Sequence, residues 1–205
     1  MKHPKRRERG FTLIEMLVVL AILSIAVLLA APYLTKQIQR SKLIGVAQQA
    51  SGLMRQARMD AIKNSRCAMV LIDPGSGRLE VFSDRDGDCL PSAPDERLSE
   101  LILPNGVSFA SPCGSGADSI RGLTTRAGLP SVAVFRGDGS ALDPGAFRFQ
   151  AVELGGAAPN YLEVILWPAA TARVRVRKWR GGSGGDCNDD TLWHANGDGG
   201  SWQWS

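Results

Sequence analysis

Hydrophobic and polar positions divide this chain into three regimes. Residues 11–34 are an apolar run broken by a single charge, Glu15. From Leu43 the apolar positions Val46, Ala47, Ala50, Leu53, Met54, Ala57 and Ala61 recur at helical spacing, with Gln48, Arg55, Arg58 and Lys63 on other faces. One helix running to about residue 65, bent at Pro32, accounts for both regimes. The period then changes. Segments 68–72 and 78–82 flank Pro74-Gly75-Ser76-Gly77, a hairpin signal, and further strands are predicted at 107–109, 131–135, 146–150, 162–167 and 173–179. Glycine- and proline-rich turns separate them, and no fixed repeat is present. The expected fold class is α+β: a long N-terminal helix, membrane-spanning in its first half, packed on an antiparallel β-sheet.

The 24 residues of the apolar run make a helix of about 36 Å, enough for a ~30 Å hydrocarbon core. A carboxylate inside that core costs on the order of 2.5–3.5 kcal/mol on insertion scales, so it needs a partner. None of the residues that follow Glu15 offers one, which suits a helix that packs against copies of similar helices. Lys2, Lys5, Arg6, Arg7 and Arg9 precede the span, and Lys36, Arg40 and Lys42 follow it. That bias puts the N-terminus in the cytoplasm and the rest of the chain outside the inner membrane.

The segment Gly10-Phe11-Thr12-Leu13-Ile14-Glu15 resembles the class III signal of type IV pilins and type II secretion pseudopilins. The resemblance implies that a prepilin peptidase cuts between Gly10 and Phe11 and methylates the new N-terminus, Phe11. It further implies that Glu15 pairs with the terminal amine of a neighbouring subunit during filament assembly. Pro32 stands where many pilins also carry a proline. An ordinary secretory signal would have a shorter apolar core and a small-residue cleavage site. A plain signal anchor would explain the length but neither Gly10 nor Glu15. The stretch 57–64, the segment Leu103-Pro104-Asn105-Gly106-Val107-Ser108-Phe109 and the segment Phe135-Arg136-Gly137-Asp138-Gly139-Ser140 resemble parts of the GspH/FimT branch of that family. The fold implied is pilin-like.

Charge adds less than the total suggests. The first ten residues hold five of the 24 basic and one of the 20 acidic residues, so the remainder is formally neutral, with 19 of each sign. An acidic partner would have to be met by local clusters. Cys67, Cys89, Cys113 and Cys187 are widely and irregularly spaced, without a C-x-x-C, and the only histidines are His3 and His194. Two disulfides suit that pattern and an oxidising compartment better than zinc does, and three connectivities are open. Cys67 lies near the predicted helix end, so one bridge is expected to tie that helix to the β region.

Three further features carry candidate chemistry. The run Arg173-Val174-Arg175-Val176-Arg177-Lys178-Trp179-Arg180, read as a strand, puts Arg173, Arg175, Arg177 and Trp179 on one face. Arg173, Arg175, Arg177, Lys178 and Arg180 are thus candidate DNA contacts, through phosphate pairing and stacking on the indole. The run resembles the arginine-bearing C-terminal region of FimT-type minor pilins, which bind DNA in natural transformation, although Ala172-Arg173 replaces that region's Gly-Arg pair. A solvent-facing edge strand guarded by charge is the competing and more frequent explanation. Asp84, Asp86 and Asp88, with Asp95 further on, outline a calcium loop, but the required glycine is at position 87 and Cys89 holds its place. An Asp/Gly turn without metal is the preferred reading. The tail after Arg180 combines a glycine run with Trp193, Trp202 and Trp204. These indoles are expected to fold back as a last strand pinned by Cys187, the alternative being a contact for a neighbouring subunit.

No Ser-His-Asp set, P-loop, G-x-S-x-G elbow or dinucleotide fingerprint is present, so no enzyme and no cofactor is expected. The organisation expected is a leader over 1–10, a stem helix over 11–34, its amphipathic half over 35–66, a periplasmic β-rich domain over 67–180 and a glycine-rich tail over 181–205. The functional expectation is a structural subunit, a minor pilin or pseudopilin of a type IV pilus or type II secretion pseudopilus. Its partners would be other pilins or pseudopilins, the prepilin peptidase and an inner-membrane assembly platform. The alternative is a DNA-binding minor pilin acting through residues 173–180.

Overall fold

A computed structural model of the chain describes residues 11–113, 119–123, 131–151, 161–180, 187 and 189–195. The chain divides into two compact units, Met1–Ile38 and Gln39–Ser205. One helix, α1 (Leu13–Asn64), contributes to both and includes position 32.

In the first unit the large apolar side chains along α1, from Leu13 to Ile38, are exposed, and by length and composition this stretch can cross a membrane. A helix bare of polar cover on every side has no stable place in water, so lipid or other helices must cover it.

In the second unit α1 is amphipathic. Leu43, Val46, Ala47, Ala50, Met54, Ala57 and Ala61 are buried, and Leu53 packs against them. Four of these eight are alanines, which lets the sheets' larger side chains come close to the helix backbone. The helix stops at Ser65, whose φ of 51° is left-handed. The Ser65 amide donates to the carbonyl of Ile62 and the Arg66 amide to that of Ala61, a Schellman motif in which serine occupies the usual glycine position.

The strands form two sheets where one was expected. The first has the order β3–β2–β1–β6, with β1 (Ala68–Asp73), β2 (Arg78–Ser83), β3 (Glu96–Ile102) and β6 (Ser131–Phe135). The second runs β10–β9–β8–β7–β4, with β4 (Val107–Phe109), β7 (Gly145–Ala151), β8 (Tyr161–Leu166), β9 (Val174–Trp179) and β10 (Trp193–Ala195). β5 (Ile120–Arg121) pairs with β7 alongside. All these pairings are antiparallel. The division falls at the turn after β6, where the Asp138 carboxylate accepts from the Ser140 amide at 2.8 Å and the hydroxyl at 2.6 Å. β6 then returns to β1, and only the isolated Phe135–Ala141 bridge follows it before β7 starts in the other sheet. Alternate residues of both sheets, among them Val70, Val81, Phe135, Phe147, Phe149, Leu162 and Val164, join the buried stripe of α1 in one core.

The β6–β7 turn also abuts the helix end. A Cβ built on Gly137 would lie 2.7 Å from the Ser65 carbonyl carbon and 2.9 Å from its Cα, both backbone. Arg58 Nε donates to the Gly139 carbonyl at 2.9 Å from the preceding turn of α1. Gly137→Ala is therefore expected to destabilise the domain by ~1–3 kcal/mol, because backbone has to move to admit the methyl. Thermal denaturation checks it, and Gly45→Ala, where a Cβ meets nothing within 4 Å, is the control.

Candidate assembly motif and the arginine strand

The helix start explains part of what Glu15 does. Thr12 precedes α1, and its hydroxyl accepts from the Glu15 amide at 3.3 Å while Glu15 Oε2 accepts from the Thr12 amide at 3.5 Å. This is a capping box, and the T-x-x-E spacing that signals it was in the sequence. No residue that follows Glu15 was expected to serve it, and the contact found comes from Thr12, which precedes it. Both bonds are long, so the carboxylate stays open to a stronger, charge-assisted partner. Phe11 is 75% exposed. Gly10 lies outside the described residues.

The arginine run folds as predicted in period but not in environment. Arg173 and Arg175 are exposed and Arg180 is exposed just past β9, while Arg177, Lys178 and Trp179 are buried. β8 pairs along one side of β9, and on the other side β10 covers only 177–179 among the described residues, leaving 174–176 at the edge. The single exposed row of cations is not what the chain builds. The register explains it. Glu163 on β8 stands opposite both Arg148 on β7 and Arg177 on β9.

Glu163 is 0% exposed, and each of its oxygens is engaged. Oε1 accepts from Arg148 Nε at 3.0 Å, and Oε2 accepts from Arg177 Nε at 2.9 Å and from its Nη2. Arg121 on β5 approaches Oε1 at 3.8 Å. The tail closes over this group. Arg148 Nη2 and Trp193 Nε1 both donate to the Cys187 carbonyl at 3.0 Å, and the Arg148 guanidinium lies 5.2 Å from the Trp193 ring centre. Trp193 packs on Trp179 with ring centres 4.9 Å apart. Burial holds the Arg148 pKa below its ordinary value, opposed by the attraction of Glu163. Lys178 points to the opposite face, shared with Val174 and Val176, and burial first, then Arg180 and Arg40, lower its pKa. The tail is expected to return as a last strand, and β10 is that strand; Trp202 and Trp204 lie outside the described residues. Glu163, Arg148 and Arg121 escaped the sequence reading because their convergence depends on strand register across four segments.

The bridges are Cys67–Cys89 and Cys113–Cys187, with Cα separations of 5.4 and 5.8 Å. The first ties the segment after α1 to the turn after β2, as expected for Cys67. In that turn Asp84 is buried and accepts from the amides of Gly87 at 2.7 Å and Cys89 at 3.2 Å. Asp86 accepts from the Asp88 amide and Asp88 from the Leu90 amide. Asp95 braces the loop from the far side through the amides of Arg85 and Ser92. Oxygens of Asp84, Asp86 and Asp88 lie within 4.8 Å of one another, yet each carboxylate closes a backbone turn. That is the work of an Asp/Gly turn. Arg85 pairs with Glu96 beside it.

Comparison with known proteins places this arrangement. Residues 5–31 match the prokaryotic N-terminal methylation motif. Residues 46–169 match the family described as type II transport protein GspH. The chain belongs to the GspH family. Members of this family are structural subunits, so the chain is not an enzyme, and its apolar N-terminal helix anchors it in a membrane. The type II secretion system protein H of Xanthomonas campestris pv. campestris is 35% identical over 95 residues, 46% of this chain and 56% of that protein. The chain thus spans little more than half the length of that relative. Among solved structures, the minor pseudopilin EpsH of the Vibrio cholerae type 2 secretion system is similar at 13% identity, covering 65% of this chain and 95% of that one, with a TM-score of 0.45. The type IV minor pilin FimU of Pseudomonas aeruginosa is similar at 10% identity, covering 66% and 87%, with a TM-score of 0.44.

Proposed function

We propose that this GspH-family chain is a minor pseudopilin: a subunit held in the inner membrane by the first half of α1 and drawn from there into a type II secretion pseudopilus. The observation that carries the reading is the exposed apolar helix headed by Phe11 and Glu15, a surface with no use until neighbouring helices cover it. The prepilin peptidase removes residues 1–10, Phe11 becomes the methylated N-terminus, and the N-terminus faces the cytoplasm until cleavage. Glu15 then exchanges its long bond to the Thr12 amide for the terminal ammonium of an adjacent subunit, a shorter and stronger contact. Other pseudopilins and the inner-membrane platform are the partners. The secretion role is favoured over the pilus role by the sequence relative, which is a secretion-system protein.

Glu15→Ala is expected to leave the processed, membrane-inserted subunit present at normal level but to reduce its recovery in sheared or cross-linked filaments by about tenfold or more. Normal incorporation of the variant would overturn the pairing role. Mass spectrometry of the mature chain checks the processing, with N-methyl-phenylalanine at position 11 as the expected terminus. The DNA-binding alternative retains Arg173, Arg175 and Arg180 at the surface, but Arg177 is committed to Glu163 and Lys178 is turned inward, so it is not the reading adopted.

A further inference from the structure

The two disulfides differ in their surroundings. Cys67 and Cys89 are both half-buried and line an open cleft of about 360 Å³, with Arg66 and Asp86 on its walls. In the second bridge Cys113 is also half-buried, but Cys187 is buried in a cluster with Tyr161, Trp179 and Trp193, and its Sγ lies 3.4 Å from Ser111 Oγ. Thiol–disulfide exchange requires an attacking thiolate to reach a sulfur, and both cysteines of the first bridge line the open cleft, whereas one cysteine of the second is enclosed by the tryptophan cluster. Backbone conformation points the same way. Cys89 is held at a φ of 56°, a left-handed conformation unfavourable for a residue with a side chain. The turn does not depend on the bridge alone, because Asp84 holds the amides of Gly87 and Cys89 and Asp95 holds those of Arg85 and Ser92. Opening Cys67–Cys89 is therefore a local event rather than an unfolding.

We propose that Cys67–Cys89 is a thiol–disulfide exchange site on the folded protein, addressed by a dithiol oxidoreductase, whereas Cys113–Cys187, enclosed on its Cys187 side, is a slower, structural bridge. One partner thiolate attacks either sulfur of the pair, forming a mixed disulfide and expelling the other cysteine as thiolate. The partner's second thiol then displaces the remaining cysteine. The partner leaves as a disulfide, and its two thiol protons end on Cys67 and Cys89. The reverse sequence, with an oxidised partner, restores the bridge. The exchange sets whether the acidic turn is tethered to the end of α1, and it does not depend on the assembly role above.

The test uses the full-length protein in detergent micelles under native conditions. It is incubated with dithiothreitol or with reduced thioredoxin, quenched, alkylated and mapped by peptide mass spectrometry. Cys67 and Cys89 are expected to label about tenfold or more faster than Cys113 and Cys187 with both reductants. Equal rates, or earlier labelling of Cys113 and Cys187, would overturn the assignment. Opening by dithiothreitol but not by thioredoxin would overturn the protein partner. Trp193→Ala, which uncovers Cys187, is expected to speed labelling of Cys113 and Cys187 alone. An unchanged ratio in that variant would show that burial is not what closes the second bridge, and the proposal would fall.

Discussion

Glu163→Ala is expected to destabilise the folded domain by on the order of 3–5 kcal/mol, which for many domains of this size is a large share of the total. The carboxylate is the only acidic group among the described residues paired with Arg148 and Arg177, and both cations are buried with it. Removing it leaves guanidinium groups repelling one another in a place water does not reach. Two other acceptors of Arg148, the Ser111 hydroxyl and the Cys187 carbonyl, are neutral dipoles, and the second belongs to the tail, so the loss should pass into the docking of β10. Chemical denaturation measures the effect, and tryptophan fluorescence reports whether Trp193 leaves Trp179 before the rest unfolds. A coordinated change separates charge from packing. Glu163→Leu combined with Arg148→Met and Arg177→Met should recover most of the loss, because apolar side chains of similar volume incur no desolvation penalty. A single-variant loss below about 1 kcal/mol would mean that the cluster is solvated in the native protein.

The elements most legible in the sequence were those whose pattern is set locally. The buried stripe of α1 follows from alanine and leucine spacing alone, and β6 spans 131–135 as its β-branched residues predicted. β3 was not predicted because its signal is electrostatic. Glu96, Arg97 and Glu100 break the apolar alternation, yet Arg97 meets Glu80 at 2.7 Å and Arg78 meets Glu100 at 3.1 Å across the strands, so the charges themselves line the edge. A charge-guarded edge of the kind expected of β9 is thus found at β3. β5 and β10 are two and three residues long and exist through their partners, β7 and β9. The capping box at Thr12 and Glu15 is encoded in the T-x-x-E spacing itself. The turn at Asp84, Asp86 and Asp88 was legible from its Asp/Gly composition, and each of these carboxylates accepts from a backbone amide there. The fate of Arg177 was not legible at all. Alternation placed it beside Arg175, and only the register against Glu163 shows that one is exposed and the other is not.

Removing Cys113–Cys187 with the pair Cys113→Ala and Cys187→Ala is expected to be more damaging than removing Cys67–Cys89 with the corresponding pair. The closed loops differ, at separations of 74 and 22 residues, and chain entropy gives about 4.4 and about 3.4 kcal/mol for them. That difference of about 1 kcal/mol is the smaller part of the expectation. Cys187 also positions the carbonyl that receives Arg148 and Trp193, so losing its bridge weakens two contacts that depend on one backbone atom's place. The Cys67–Cys89 turn keeps its Asp84 and Asp95 hydrogen bonds when its bridge goes, so its loss should stay near or below the entropic figure. Denaturant titration of the two double variants gives the stabilities, and acrylamide quenching follows Trp179 and Trp193. The first variant should show both a lower midpoint and stronger quenching, and the second a lower midpoint with quenching unchanged. A larger loss for Cys67–Cys89 would mean that the tail docks without its disulfide, and that β10 is held by the Glu163 cluster and the tryptophan pair alone.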